Sequence, residues 1–281
     1  MKIFIIQIII STVVLAQSVD FNSPENIKLF ADYLFCDHDY LRAIDEYEKY
    51  LNFFDNDTIR FKIALAFSLM DEHTNALKNF NKLSEASQLY QLSQIEELKS
   101  FFKLKLFPQL SSKVSEIHNL KSEYSLSADK ILSISYLLNN YSIPAEKLFL
   151  APFNDQEKPI VQNFYLRKTN PDYKSEILAG VYSAIIPGLG KIYTENYSDG
   201  ITAFLITGIF SYLAYTNFEH RHLTRAWIFT VAGAGFYAGN IYGSVASAQI
   251  FNVKINFDFI NDVNSFIEAK NYFIPEYDFC K

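Results

Sequence analysis

The stretch Ile177–Gly200, ILAGVYSAIIPGLGKIYTENYSDG, constrains this chain more than any other. About ten apolar residues, Ile177–Ile186, run into Pro187-Gly188-Leu189-Gly190 and stop. Proline removes a backbone donor and glycine frees the chain to turn sharply. A helix of that length is too short for a hydrocarbon core of about 30 Å, which takes about 20 residues. Broken backbone at that depth is tolerated only against protein or water, so 177–190 is expected to form a re-entrant or interfacial half-helix. Tyr193 and Tyr197 then fall at headgroup level.

The chain downstream is apolar. Ile201–Phe218 and Ala226–Phe251 carry no charged residue and are expected to cross a membrane, so the membrane domain is expected over 176–251. In the second segment Gly235, Gly239 and Gly243 recur every four residues, a spacing that lets two helices approach closely and lets this helix pair with a second copy. Asn240, beside that face, is expected to need a partner on another helix. The loop between the segments, 219–225, holds Arg221 and Arg225 and is expected to be cytoplasmic by the positive-inside rule. Residues 1–16 read as a cleaved signal peptide, with Lys2, an apolar Ile3–Leu15 and small residues up to Ala16. Both signals place the N-terminal part and the tail, 252–281, outside the cytoplasm. That tail alternates at Val253, Ile255, Phe257 and Phe259 and then shows helical spacing around Phe266 and Ile267, so its secondary structure stays open.

From Pro24 the period is helical. Ile27, Phe30, Ala31 and Leu34 share one face, as do Tyr40, Ala43, Ile44, Tyr47 and Leu51, with Asp39 an N-cap between them. The pattern returns about 33 residues later with Phe61, Ala64, Phe67, Ala76, Leu77 and Phe80. These two segments resemble tetratricopeptide repeats. Ala31 and Ala64 match the small position of the first helix, Ala43 and Ala76 that of the second, and Tyr47 and Phe80 the following aromatic. Asp55 stands where a proline often closes the repeat, and the first repeat lacks the usual glycine. The resemblance implies a short solenoid over 24–153, with four more helices up to Phe153, followed by a polar linker over 154–175.

The string from Ile177 to Phe251 is similar to a family of small bacterial integral membrane proteins, common in the Bacteroidetes and related bacteria, with a Ser-Ala-x-x-Pro-Gly-x-Gly-x-x-Tyr element. Here Ser183, Ala184, Pro187, Gly188, Gly190 and Tyr193 match it, followed by Asp199 and Gly200. Lys191 stands where that family often shows glutamine. The two-helix TM2 domain is more weakly similar. Neither resemblance carries an activity across.

The implied fold class is all-α: a tetratricopeptide-like helical solenoid followed by an α-helical membrane hairpin with a preceding half-helix. A net charge of −6 argues against a nucleic-acid partner, which calls for a basic stripe. Gly188-Leu189-Gly190-Lys191 is no phosphate loop, because Ile185 and Ile192 occupy the positions of its first glycine and its Ser or Thr. Ser183 lies outside any nucleophile elbow. His220 and His222 lack a third metal ligand nearby. The two cysteines, Cys36 and Cys280, are too few for a disulfide framework, and whether they pair is left open. The expectation is therefore a non-enzymatic protein of the bacterial inner membrane without a cofactor or metal. Its partners would be the lipid bilayer, an unidentified envelope protein bound by periplasmic repeats, and a second copy through the glycine-spaced helix. The alternative makes the membrane domain the active part, in lipid handling or membrane-protein biogenesis.

Overall fold

A computed structural model describes residues 22–117, 120–140 and 142–280. The expected signal peptide lies outside them. The described residues form thirteen α-helices and a 3-10 turn at Asn271–Phe273, with no strand. They divide into two compact units: residues 22–124 with 275–280, and residues 125–274.

The first unit is built from helix pairs. They are α1 (Pro24–Cys36) with α2 (Tyr40–Leu51), α3 (Asp57–Leu69) with α4 (His73–Phe80), and α5 (Tyr90–Lys103) with α6 (Phe107–Glu116). Side chains of Ser23, Asp39 and Asn56 accept the free N–H groups at the starts of α1, α2 and α3. One turn joins the two helices of all three pairs. A non-glycine residue in left-handed conformation (His38, Asp71 or Lys105, φ 65°, 63° and 56°) ends the first helix. The next residue then donates its N–H back to the carbonyl of Leu34, Phe67 or Phe101. Ala31, Ala43, Tyr47, Ala64, Ala76 and Phe80 are all fully buried in this unit. The small side chains leave room for neighbouring helices, and the aromatics fill what remains.

The tail completes this core. Phe61 of α3 packs against Tyr277 and Phe279 with ring centroids 5.9 and 5.6 Å apart. Lys62 is boxed between Phe35, Tyr47 and Phe279 while its ammonium donates to Asp32 at 2.6 Å. Cys36 and Cys280 form a disulfide. The pairing left open by sequence separation is therefore made, and it fastens the tail to α1.

The second unit begins inside α7 (Ser122–Leu138) and continues with α8 (Glu146–Leu150) and α9 (Lys158–Thr169). The division thus falls after Tyr124 rather than after Phe153. Residues 154–175 were expected as a linker, yet they carry α9, whose Val161 and Phe164 are buried. Phe164 meets Phe259 and Phe266, and Arg167 reaches Asp262 at 2.7 Å. Next come α10 (Glu176–Ile185), α11 (Leu189–Tyr193), α12 (Tyr197–Glu219) and the 47-residue α13 (Leu223–Ala269). The first half of the tail is therefore helix, continuous with α13. At its end Asn271, Tyr272 and Phe273 are all left-handed, with φ of 44°, 54° and 56°. Three such residues in a row are strained, and Ser127 secures the turn by donating to the Phe273 carbonyl at 2.6 Å.

Candidate functional site

Pro187 and three glycines build the site. The residue before a proline is pushed out of the helical region, and Ile186 is extended (φ −130°, ψ 116°), which ends α10 at Ile185. Gly188 then turns left-handed at φ 88°, and a Cβ there would lie 2.0 Å from the Gly200 carbonyl oxygen. A Cβ on Gly190 would lie 1.8 Å from the Ala179 carbonyl oxygen. A Cβ on Gly200 would lie 2.7 Å from Ile192 and 2.8 Å from the Gly188 oxygen. No side chain fits at any of the three.

A line of hydrogen bonds ties this turn to α13. Gly190 N–H donates to Ser183 Oγ at 2.9 Å, Ser183 and Ser244 share a 2.6 Å contact, and Ser244 donates to the Asn240 carbonyl at 2.9 Å. Each hydroxyl has one proton and Ser244's is used on Asn240, so Ser183 donates to Ser244. Both serines are fully buried. By the same count Thr194 donates to the Lys191 carbonyl at 2.9 Å and accepts from Ser247 at 2.6 Å. Tyr237 donates to the Ala184 carbonyl. The Asn252 amide clamps both backbone groups of Lys174, at 2.8 and 3.0 Å. The polar partners of residues 174–194 thus run along α13, and where the contact is buried such bonds have little competition from water.

The matched residues have specific duties. Ser183 anchors the turn, and no histidine or carboxylate among the described residues hydrogen-bonds to it. Tyr193 accepts from the Ser175 N–H at 3.1 Å and packs edge-on to Tyr182. Asp199 sits in the first turn of α12, where Asn196 caps the helix and donates to its carboxylate at 3.0 Å. Among the described residues no three His, Cys, Asp or Glu side chains gather to hold a metal.

The glycine-spaced residues are placed differently. A Cβ on Gly235 or Gly239 would meet nothing within 4 Å, and one on Gly243 would make ordinary contact with the Lys191 side chain at 3.4 Å. The close helix approaches fall at glycines outside that spacing: Gly180 against Val245 and Gly233 against Phe210, each at 3.1 Å. Gly235 and Gly239 instead floor a groove of about 630 Å³ between α12 and α13, also lined by Lys191, Asp199 and Asn240. Asn240 is only 6% exposed, and neither its amide oxygen nor its nitrogen has a hydrogen-bond partner. Leaving such a group unsatisfied costs about 1–3 kcal/mol. The interhelical partner expected for it is not supplied among the described residues.

The surface of α12 is apolar. Its most apolar 18-residue window has a mean hydropathy of 1.3, with none of the window buried. Among the described residues it is the one helix long and apolar enough to cross a membrane; α13, diluted by residues such as Asn240 and Gln249, does not reach that standard. No family model matches the sequence, and no curated protein or solved structure matches it.

Proposed function

We propose that this is a non-enzymatic envelope protein, anchored in the inner membrane by α10–α13, whose tetratricopeptide-like unit binds a protein partner on the periplasmic side. The observation that carries the anchor is the exposed face of α12. Ile201, Phe204, Leu205 and Ile209 are each more than half exposed, as are Trp227, Ile228 and Val231 on α13. Burying a large apolar side chain is worth about 1.5–3 kcal/mol, so this many left in water would be costly, whereas lipid covers them. Two further features support the side of the membrane. A disulfide persists in an oxidising compartment, and Arg221 lies in the short α12–α13 connection with Arg225 in the first turn of α13 just after it.

The three helix pairs with their common turn, and the buried Ala and aromatic positions, support the repeat reading. Cys36, Phe61, Lys62 and Glu96 lie on α1, α3 and α5, the first helix of each pair, and the chain's own tail occupies that face. The exposure of Leu29, Tyr33 and Leu41 on α1 and α2, at 65%, 63% and 65%, supports a partner surface there. In-cell cross-linking and co-purification of the full chain beside Leu29→Lys and Leu41→Lys variants tests this. One envelope protein should co-purify with the parent and be lost from both variants. Equal recovery from all three would refute the assignment.

The second reading, lipid handling by the membrane domain, is favoured by the groove floored by Gly235 and Gly239. Its unpartnered Asn240 amide and Lys191 ammonium offer a lipid headgroup what the chain itself does not use.

A further inference from the structure

The α12–α13 groove has a polar end and an otherwise apolar lining. The end beside the Pro187–Gly190 turn carries Lys191, Asp199 and Asn240. Along α12 from Asp199, Thr202 and Thr207 spend their hydroxyl protons on the carbonyls of Ser198 and Ala203, each at 2.8 Å, so they offer no free donor. Ala203, Ile206, Val231 and Phe236 supply apolar lining. Such a lining matches a molecule with one polar head and one apolar chain.

The polar end holds unused bonding capacity. Lys191 Nζ has no ion pair or hydrogen bond among the described residues, and it rests 3.6 Å from the position of a Cβ on Gly243, three residues along α13 from Asn240. The Asn240 amide is buried in the groove wall with both polar atoms unsatisfied. An unsatisfied buried group of this kind calls for an explanation, and a ligand that hydrogen-bonds to it is one. Asp199 adds a carboxylate at the rim, with one oxygen engaged by Asn196. One cation and one anion beside a neutral amide complement a head that is itself zwitterionic. The floor is open at Gly235 and Gly239, where nothing lies within 4 Å of a Cβ position. Any larger side chain there would project into the groove.

We propose that the groove binds one phospholipid of the ethanolamine class. Its phosphate meets Lys191 and Asn240, its ammonium meets Asp199, and an acyl chain lies over Gly235 and Gly239 toward Val231. This rests on the reading that α10–α13 lie in a membrane, and the volume of about 630 Å³ falls within the usual range of ligand sites, about 300–1,000 Å³.

The test uses the full chain extracted from membranes in mild detergent. Native mass spectrometry counts retained lipid, and titration with phosphatidylethanolamine, phosphatidylglycerol or soluble phosphoethanolamine compares affinities. The parent should retain one phosphatidylethanolamine and prefer it to phosphatidylglycerol. Soluble phosphoethanolamine should bind far more weakly, because it lacks the chain. Gly239→Val and Asn240→Leu should each weaken binding at least about tenfold, near the 1.4 kcal/mol that a tenfold change represents. Lys191→Gln, at a partly exposed position, should do the same without threatening the fold. Asp199→Asn should shift the preference toward phosphatidylglycerol. Gly208→Val adds a side chain in open space outside the groove and should leave binding unchanged. A membrane-extracted parent that retains no phosphatidylethanolamine, or variants that retain it as the parent does, would overturn the site alone. A Gly239→Val variant that breaks a dimer without altering lipid content would overturn it in favour of an interface between copies. Recovery of the parent in the soluble fraction would overturn the membrane reading and the lipid site with it.

Discussion

Tyr277 donates a 2.6 Å hydrogen bond to Glu96, 181 positions earlier in the chain, and Glu96 is only 1% exposed. Burial, together with the neighbouring carboxylate and the bond itself, pushes the Tyr277 phenol well above its usual value, so it remains a donor. The nearest cation to Glu96 is Lys99 at 3.6 Å. Tyr277→Phe should therefore strand a buried carboxylate and lower the stability of the first unit by about 1–3 kcal/mol. Urea unfolding of the parent and variant measures this; coincident curves would show that the tail contributes little to that core.

The Cys36–Cys280 bond closes a separation of 244 residues. Disulfides typically contribute about 2–4 kcal/mol, largely by restricting the unfolded chain. Reduction, or Cys36→Ser with Cys280→Ser, should lower the urea midpoint and expose the bond between Tyr277 and Asp278 to chymotrypsin. Unchanged proteolysis after reduction would mean that Tyr277 and Phe279 hold the tail unaided.

The glycines separate into two classes. Gly188→Ala and Gly190→Ala place a methyl group within 2.0 Å of a backbone carbonyl oxygen and should abolish the folded turn. Gly235→Ala meets open space and should be neutral or stabilising by up to about 1 kcal/mol, the helix preference of alanine over glycine. Thermal unfolding in detergent compares them. Equal tolerance at all three positions would contradict the turn geometry.

His73 is buried, which lowers its pKa despite the opposing effect of its ring's hydrogen bond to the Asp71 carboxylate at 3.1 Å. A folded pKa below the unfolded value of about 6.5 means that the unfolded chain takes up the proton first. The stability due to neutral His73 is complete above about pH 6.5 and is lost as pH falls toward the folded pKa. Glu97, raised by burial against the pull of Lys113, works in the opposite direction. The informative comparison is therefore between the parent and His73→Gln. The parent's urea midpoint should fall more steeply than the variant's between pH 7.5 and about 5.5; parallel slopes would exclude His73.

Local chemistry made much of this fold legible in the sequence. Pro187 and the glycines announced the break after α10, and the period of Ala31, Ala43, Ala64 and Ala76 marked positions that prove buried. Periodicity failed where two patterns overlapped. Val253, Ile255, Phe257 and Phe259 alternate as in a strand, yet the residues buried there are Phe259, Val263 and Ile267, one helical face. The regular spacing of Gly235, Gly239 and Gly243 drew attention to a close approach, while the observed approaches sit at Gly180 and Gly233, which follow no such spacing. Asn240 stood out as a polar residue in an apolar run, and its burial without a partner needed three dimensions to see. The tail's place against α1, α3 and α5 depends on contacts across 181 or more positions, beyond any local signal.

Cysteine accessibility across the inner membrane tests the membrane anchor and its orientation most directly. Glu219→Cys lies at the C-terminal end of α12, next to the α12–α13 connection, and Lys121→Cys in the first unit, both at exposed positions. In cells with a permeabilised outer membrane, a membrane-impermeant maleimide should label Lys121→Cys at once. It should label Glu219→Cys only after the inner membrane is broken, with the protein resisting carbonate extraction throughout. Labelling of both positions in unbroken cells, or release of the protein by carbonate, would contradict a membrane-spanning α12–α13 pair with the repeats outside.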